Sequence, residues 1–126
     1  MGQRILADSN CVIDYLDNKL PENAIVLLES AQIELSIINK IELLAWHAAS
    51  SEQINILQDF INICLIHSLS EAIILKTIEI RKNFLLKLPD AIIAATALTH
   101  TLTLYSRNLS DFKKVPGLTI INPHTM

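Results

Sequence analysis

Five short apolar runs alternate with stretches of helical periodicity, and this alternation limits the fold of the chain more than any other feature. The runs are residues 4–8, ending in an acid, 32–38, 63–67, 102–106 and 118–121. Each is too short for a helix and is rich in isoleucine or leucine. Strands separated by helices are joined by right-handed crossovers and pair in parallel. The expected fold is α/β: three layers, α/β/α, around a central parallel five-stranded sheet. No linker, repeat or low-complexity tract interrupts the pattern, so residues 1–126 are expected to form a single domain.

The helical stretches carry their own signals. Ser9 or Asn10 starts a helix that runs to about Asp17, and Pro21 is placed to open the one over 24–30. Asn39 reads as an N-cap, with Glu42 three residues later completing a capping box, and that helix runs through Trp46 and His47. A break at Ser50-Ser51-Glu52 precedes an amphipathic helix with Ile54, Leu57, Phe60 and Ile61 on one face. Ser70 caps a helix over 71–86. The segment 91–99 is apolar all round, which predicts a buried helix.

Composition removes several functions. There are only two glycines, Gly2 and Gly117. A P-loop or a dinucleotide-binding turn needs glycines for close backbone approach to phosphate, so neither can be built. Cys11 and Cys64 are too few for a disulfide framework and read as core thiols of a cytoplasmic protein. Gly2-Gln3-Arg4 leads into too few apolar residues for a signal peptide, and no apolar run has membrane-spanning length. A net charge of −3 gives no global pull on nucleic acid, although it leaves room for a local basic rim. The mean hydropathy of +0.38 suggests apolar surface that a partner covers.

Four acids stand out by position. Asp8 ends strand one, Glu42 lies about a turn past strand two, Asp90 opens the buried helix, and Asp111 follows strand four. In open parallel sheets, ligands bind outside the carboxyl ends of the strands, where strand order reverses. All four acids should therefore meet on one rim. Taken singly, each has a plain structural reading as a helix cap or first-turn acid. Together they would repel one another unless a cation lay between them. Hard divalent ions such as Mg²⁺ or Mn²⁺ take oxygen ligands of this kind and activate water for phosphodiester hydrolysis.

At these residues the chain resembles the PIN domains, specifically the VapC-type ribonuclease toxins of prokaryotic toxin–antitoxin pairs. Ile5-Leu6-Ala7-Asp8-Ser9-Asn10 is similar to that family's opening strand. Residues 36–43 resemble its second motif, ending in the acid. Leu88-Pro89-Asp90-Ala91-Ile92-Ile93-Ala94-Ala95 is the most specific match. Ser106-Arg107-Asn108-Leu109-Ser110-Asp111-Phe112, followed by Asn122-Pro123, resembles its closing signature. The resemblance implies a Mg²⁺- or Mn²⁺-dependent endoribonuclease leaving 5′-phosphate and 3′-hydroxyl ends. Asp8, Glu42 and Asp90 carry over as metal-binding acids and Asp111 as a further catalytic acid. Many relatives place an acid where Asn108 stands, which leaves Asn108 or Asp111 to complete the site. The resemblance also implies a homodimer and a cognate antitoxin protein.

Around the acids, Asn10, Lys40, Ser106, Arg107 and Asn108 are the candidate substrate-binding residues. Lys40, Arg107, Lys113 and Lys114 could hold RNA phosphates, or could be solvated surface charge. Trp46 could stack a base or pack in the core. His47, His67, His100 and His124 lack metal-ligand spacing and read as surface or core histidines. Two other functions stay open: a PIN scaffold with a weakened site that binds RNA or protein, and a receiver-like signalling module. The second is disfavoured because strand three ends in His67-Ser68 and Asn122-Pro123 follows strand five.

Overall fold

The computed structural model describes residues 2–126. Among these, five strands form one sheet: β1 (Arg4–Ala7), β2 (Gln32–Ser36), β3 (Leu65–His67), β4 (Thr103–Tyr105) and β5 (Ile120–Ile121). Their order is β3-β2-β1-β4-β5 and every pairing is parallel. The chain builds outward from β1 to β3 on one side, then returns to place β4 on the other. The reversal of order therefore falls between β1 and β4. Their carboxyl ends, carrying Asp8 and Ser106, flank the crevice where ligands bind in open α/β sheets.

Helices cover both faces. Alternation along β1 sends Ile5 and Ala7 to one side and Leu6 to the other. Ile5 and Ala7 join Val12, Leu35, Leu43, Leu57 and Tyr105 in the core under α1 (Ser9–Leu16), α2 (Glu22–Ser30), α3 (Ile37–Leu44) and α4 (Ser51–Ile63). Leu6 and Leu104 join Ile73, Ile80, Ile93 and Phe112 in the core under α5 (Glu71–Asn83), α6 (Leu88–His100) and α7 (Leu109–Phe112). Helix α6 is buried from Ala91 through Ala97, as its unbroken apolar sequence predicts. Its alanines bring the backbone close to both the sheet and α5.

Boundaries differ from the sequence reading in two places that matter. The helix after β2 begins at Ile37 and is capped by Ser36, not by Asn39. Its capping box joins Ser36 to Asn39, so Glu42 is no part of it. That helix ends at Leu44. Trp46 therefore lies beyond it, half-buried against the α1–α4 core. No helix among the described residues is long and apolar enough to cross a membrane.

Candidate active site

The site begins with how Asp8 is held. It is 6% exposed at the end of β1 and serves as N-cap of α1. One oxygen, Oδ1, accepts from the Ser9 backbone N–H at 2.8 Å and from Asn39 Nδ2 at 3.3 Å. The other, Oδ2, accepts from Ser106 Oγ at 2.8 Å and from Asn10 Nδ2 at 3.2 Å. Four donors from three segments thus fix one carboxylate, which leaves it little rotational freedom.

Asn39 holds that arrangement together from the neighbouring strand. It is fully buried, and its Oδ1 accepts from the Ser36 N–H at 3.1 Å. This capping contact turns its amide nitrogen toward the acids, where it donates to Asp8 and, at 3.1 Å, to Ser9 Oγ. Ser9 Oγ in turn donates to Glu42 Oε1 at 2.8 Å. Asp8 and Glu42, far apart in sequence, are thereby linked through one hydroxyl. Neither Asn39 nor Ser9 is a site residue in the sequence reading. The signal that could identify Asn39 is Ser36, three residues before it.

Asp90 enters from the first turn of α6 and is partly buried. Burial raises its carboxyl above the ordinary carboxylate value, and the charges of Asp8, Asp111 and Glu42 raise it further, against Lys87. All four acids of the sequence reading therefore share one electrostatic neighbourhood. Asp111 is shifted the other way: the Asn108 amide, donating at 3.1 Å, holds it below its usual range, with Lys114 and Lys87 adding to the effect. Among the described residues no three His, Cys, Asp or Glu side chains stand ready-made in metal-ligand geometry. The donor set is nonetheless all oxygen, which suits a hard divalent cation. A cation beside Asp90 would also remove the repulsion that raises it.

Asn10, Ser106 and Asn108 lie at this crevice. Asn10 Oδ1 accepts from the Arg107 N–H at 3.3 Å, and the Asn108 N–H donates to Ser106 Oγ at 3.0 Å. The side chain of Arg107 turns elsewhere. Its guanidinium donates to the buried Asp14 at 3.1 Å, which also meets His124 Nε2 at 2.7 Å. Arg107 therefore fastens the loop after β4 to α1, and His124 fastens the C-terminal turn to the same acid. Lys114 sits 3.5 Å from Asp111, whereas Lys40 forms no side-chain hydrogen bond among the described residues and Lys113 is exposed. Of the histidines, His67 stacks on His100 and contacts Glu34, away from the acids. Burial pushes the Cys11 thiol up to about 12, with Asp8 and Asp14 adding to the shift, so no thiolate nucleophile stands behind Asp8.

Comparison with known proteins identifies the fold. The family model for the PIN domain matches residues 5–118. A toxin–antitoxin complex from Klebsiella pneumoniae contains a chain 31% identical, with a TM-score of 0.76 over 94% of this chain and 97% of that one. FitAcB from Neisseria gonorrhoeae has 24% identity and a TM-score of 0.77, covering 97% of this chain and 99% of its own. VapBC-1 from nontypeable Haemophilus influenzae has 19% identity and a TM-score of 0.79, covering 95% and 98%. These last two share the fold. No curated protein matches. The span of the family match and the Klebsiella likeness lead to one conclusion: the chain belongs to the PIN domain family.

Proposed function

We propose that this protein is a divalent-metal-dependent endoribonuclease and the toxin of a toxin–antitoxin pair, working as a homodimer in the cytoplasm. The observation that carries the proposal is the carboxylate neighbourhood at the β1–β4 switch point. There Asp8 is pinned by four donors, and Asp90 is raised by burial first and then by the charges of three other acids. Structural acids at helix starts do not need to share one crevice, and the repulsion there is a cost that a bound cation would offset. Asp8, Glu42 and Asp90 are the residues that would hold Mg²⁺ or Mn²⁺, with Asp111 assisting. Such an ion, when bound, lowers the pKa of a water and stabilises charge on a phosphoryl oxygen.

The chain's own part is positioning. Ser106, Asn10, Asn39 and the Ser9 N–H orient Asp8, while Ser9 Oγ orients Glu42. Asn108 keeps Asp111 ionised and turned toward the crevice. The likeness to a chain of the Klebsiella toxin–antitoxin complex, and the exposed apolar side chains Ile63, Leu85, Leu75 and Leu88, support a protein partner.

The test compares purified wild type with Asp8→Asn and Asp90→Asn on total RNA with Mg²⁺, with circular dichroism to verify folding. Cleavage should vanish in both variants. Undiminished cleavage by either folded variant refutes the assignment. The neutral Asn108, which spends its amide on Asp111, favours as a second reading a scaffold with a weakened site. Calorimetric titration with Mn²⁺ separates the two, because the scaffold reading expects no binding heat.

A further inference from the structure

Six of the ten basic residues fall between positions 81 and 114, against only two of the thirteen acids, Asp90 and Asp111. Arg107 is engaged by Asp14. The other five, Arg81, Lys82, Lys87, Lys113 and Lys114, stand on the end of α5, the loop before α6, and the turn after α7. A cavity of ≈ 420 Å³ opens there, lined by Arg81, Leu85, Leu86, Lys87 and Asp111. It shares Asp111 with the acid crevice. Its wall is braced from both sides: Arg81 donates to the Leu86 carbonyl and Lys114 to the Leu85 carbonyl, each at 3.2 Å.

Lys87 is the informative member of this group. It is the N-cap residue of α6 and makes no side-chain capping bond. A cation is disfavoured at the positive end of a helix dipole, and Lys87 enters no close ion pair among the described residues. Helix stability therefore does not explain its position; what its charge does face is the acid crevice, where it acts on Asp90 and Asp111. The larger hollow at the opposite end of the sheet has a single cation in its lining, Arg4, which is paired with Glu34, and it lies away from the acid crevice. We propose that the cavity on the α5–α6 side is a phosphate subsite in which Lys87, backed by Arg81 and Lys114, grips the RNA backbone next to the cleavage crevice.

This subsite rests on the nuclease reading, and the test keeps the two apart. Binding of a short fluorescein-labelled single-stranded RNA is followed by anisotropy across a salt series, with EDTA present so that the RNA survives. One phosphate contact on a single strand contributes about 0.7 to the slope of log K against log salt, or about fivefold in affinity near 0.1 M salt. Lys87→Gln should lose about that much in both slope and affinity, and Lys87→Arg should restore it. Lys19→Gln, in the turn after α1, should match wild type. Equal binding and slope for wild type and Lys87→Gln overturn the subsite and leave the nuclease assignment standing. A wild-type protein that neither binds nor cuts RNA overturns both.

Discussion

Asn39 provides the sharpest test of how the crevice is built. Its side chain accepts from the Ser36 N–H and donates to Asp8 and Ser9, and all of it is buried. Asn39→Ala removes three hydrogen bonds, one of them to a carboxylate, and strands the buried Ser36 N–H. Neutral bonds are worth about 0.5–1.5 kcal/mol net and a bond to a charge about 1.5–3 kcal/mol. Because the contacts share one residue and are not additive, roughly 2–4 kcal/mol is expected in total. Unfolding entropy of about 2.1 cal/mol/K per residue converts each kcal/mol into about 4 °C for a chain of this size. The melting temperature should thus fall by about 8–15 °C. Asn39→Asp is nearly isosteric, keeps the oxygen that caps Ser36, and replaces the donor to Asp8 with a second oxygen. Burial and the facing Asp8 charge must raise the folded-state pKa of the new carboxyl. The variant should match wild type where both folded and unfolded states are protonated. It should then lose stability as pH rises from about 4 through that raised pKa, by about 1.36 kcal/mol for each pH unit that separates the folded-state and unfolded-state pKa values. Thermal melts by circular dichroism between about pH 4 and 8, with chelator present, measure both variants. If Asn39→Asp melts like wild type at neutral pH, or Asn39→Ala costs less than about 1 kcal/mol, Asn39 does not support Asp8 as described.

Two further predictions concern charge. Glu34 is 3% exposed and accepts from Arg4 Nε at 2.6 Å and Nη2 at 3.0 Å, and meets His67 Nε2 at 2.6 Å. Burial pushes its carboxyl up, but the bonds from Arg4 and His67 outweigh burial and leave it below the ordinary value. Its stabilising contribution is therefore present above the unfolded-state pKa and is lost as pH falls through the lower folded-state one. Glu34→Gln should cost about 1–2 kcal/mol at neutral pH, a value held down by the half-exposed Arg4, and the deficit should shrink in acid melts. A deficit that grows in acid would contradict this. Asp90 has the opposite sign: its folded-state pKa is raised, so its ionisation destabilises the fold as pH rises. In chelator, Asp90→Asn should melt above wild type. Mn²⁺ at about a hundred times its Kd should then add about 2.7 kcal/mol to wild type and little to the variant. Equal gains in both would remove Asp90 from the ion site.

The acids are legible in the sequence because backbone geometry alone determines where they go. A parallel sheet places every strand end of one kind on the same rim, so Asp8 and Asp111 reach the crevice whatever their side chains do. The parallel sheet and the buried α6 follow from equally local signals, apolar runs and an unbroken apolar helix. What holds the acids in place is harder to read, because it depends on side chains arriving from other elements. Strand β2 reads through Ile37-Ile38 because two isoleucines resemble strand sequence. At the first two positions of a helix, however, no preceding turn crowds a β-branched side chain, so the same residues begin α3 without penalty. That displacement of two residues makes Ser36 the cap and Asn39 the third residue of the helix, which turns the amide inward. Glu42 is released from capping and left for Ser9. Arg107 shows the same limit from the other direction. Its place beside Asn108 suggests an RNA contact, but Asp14, 93 positions earlier, takes the guanidinium. A local pattern identifies which atoms seek partners. Which partner arrives is decided by the packing of α1 against the loop after β4, and no window of sequence contains both.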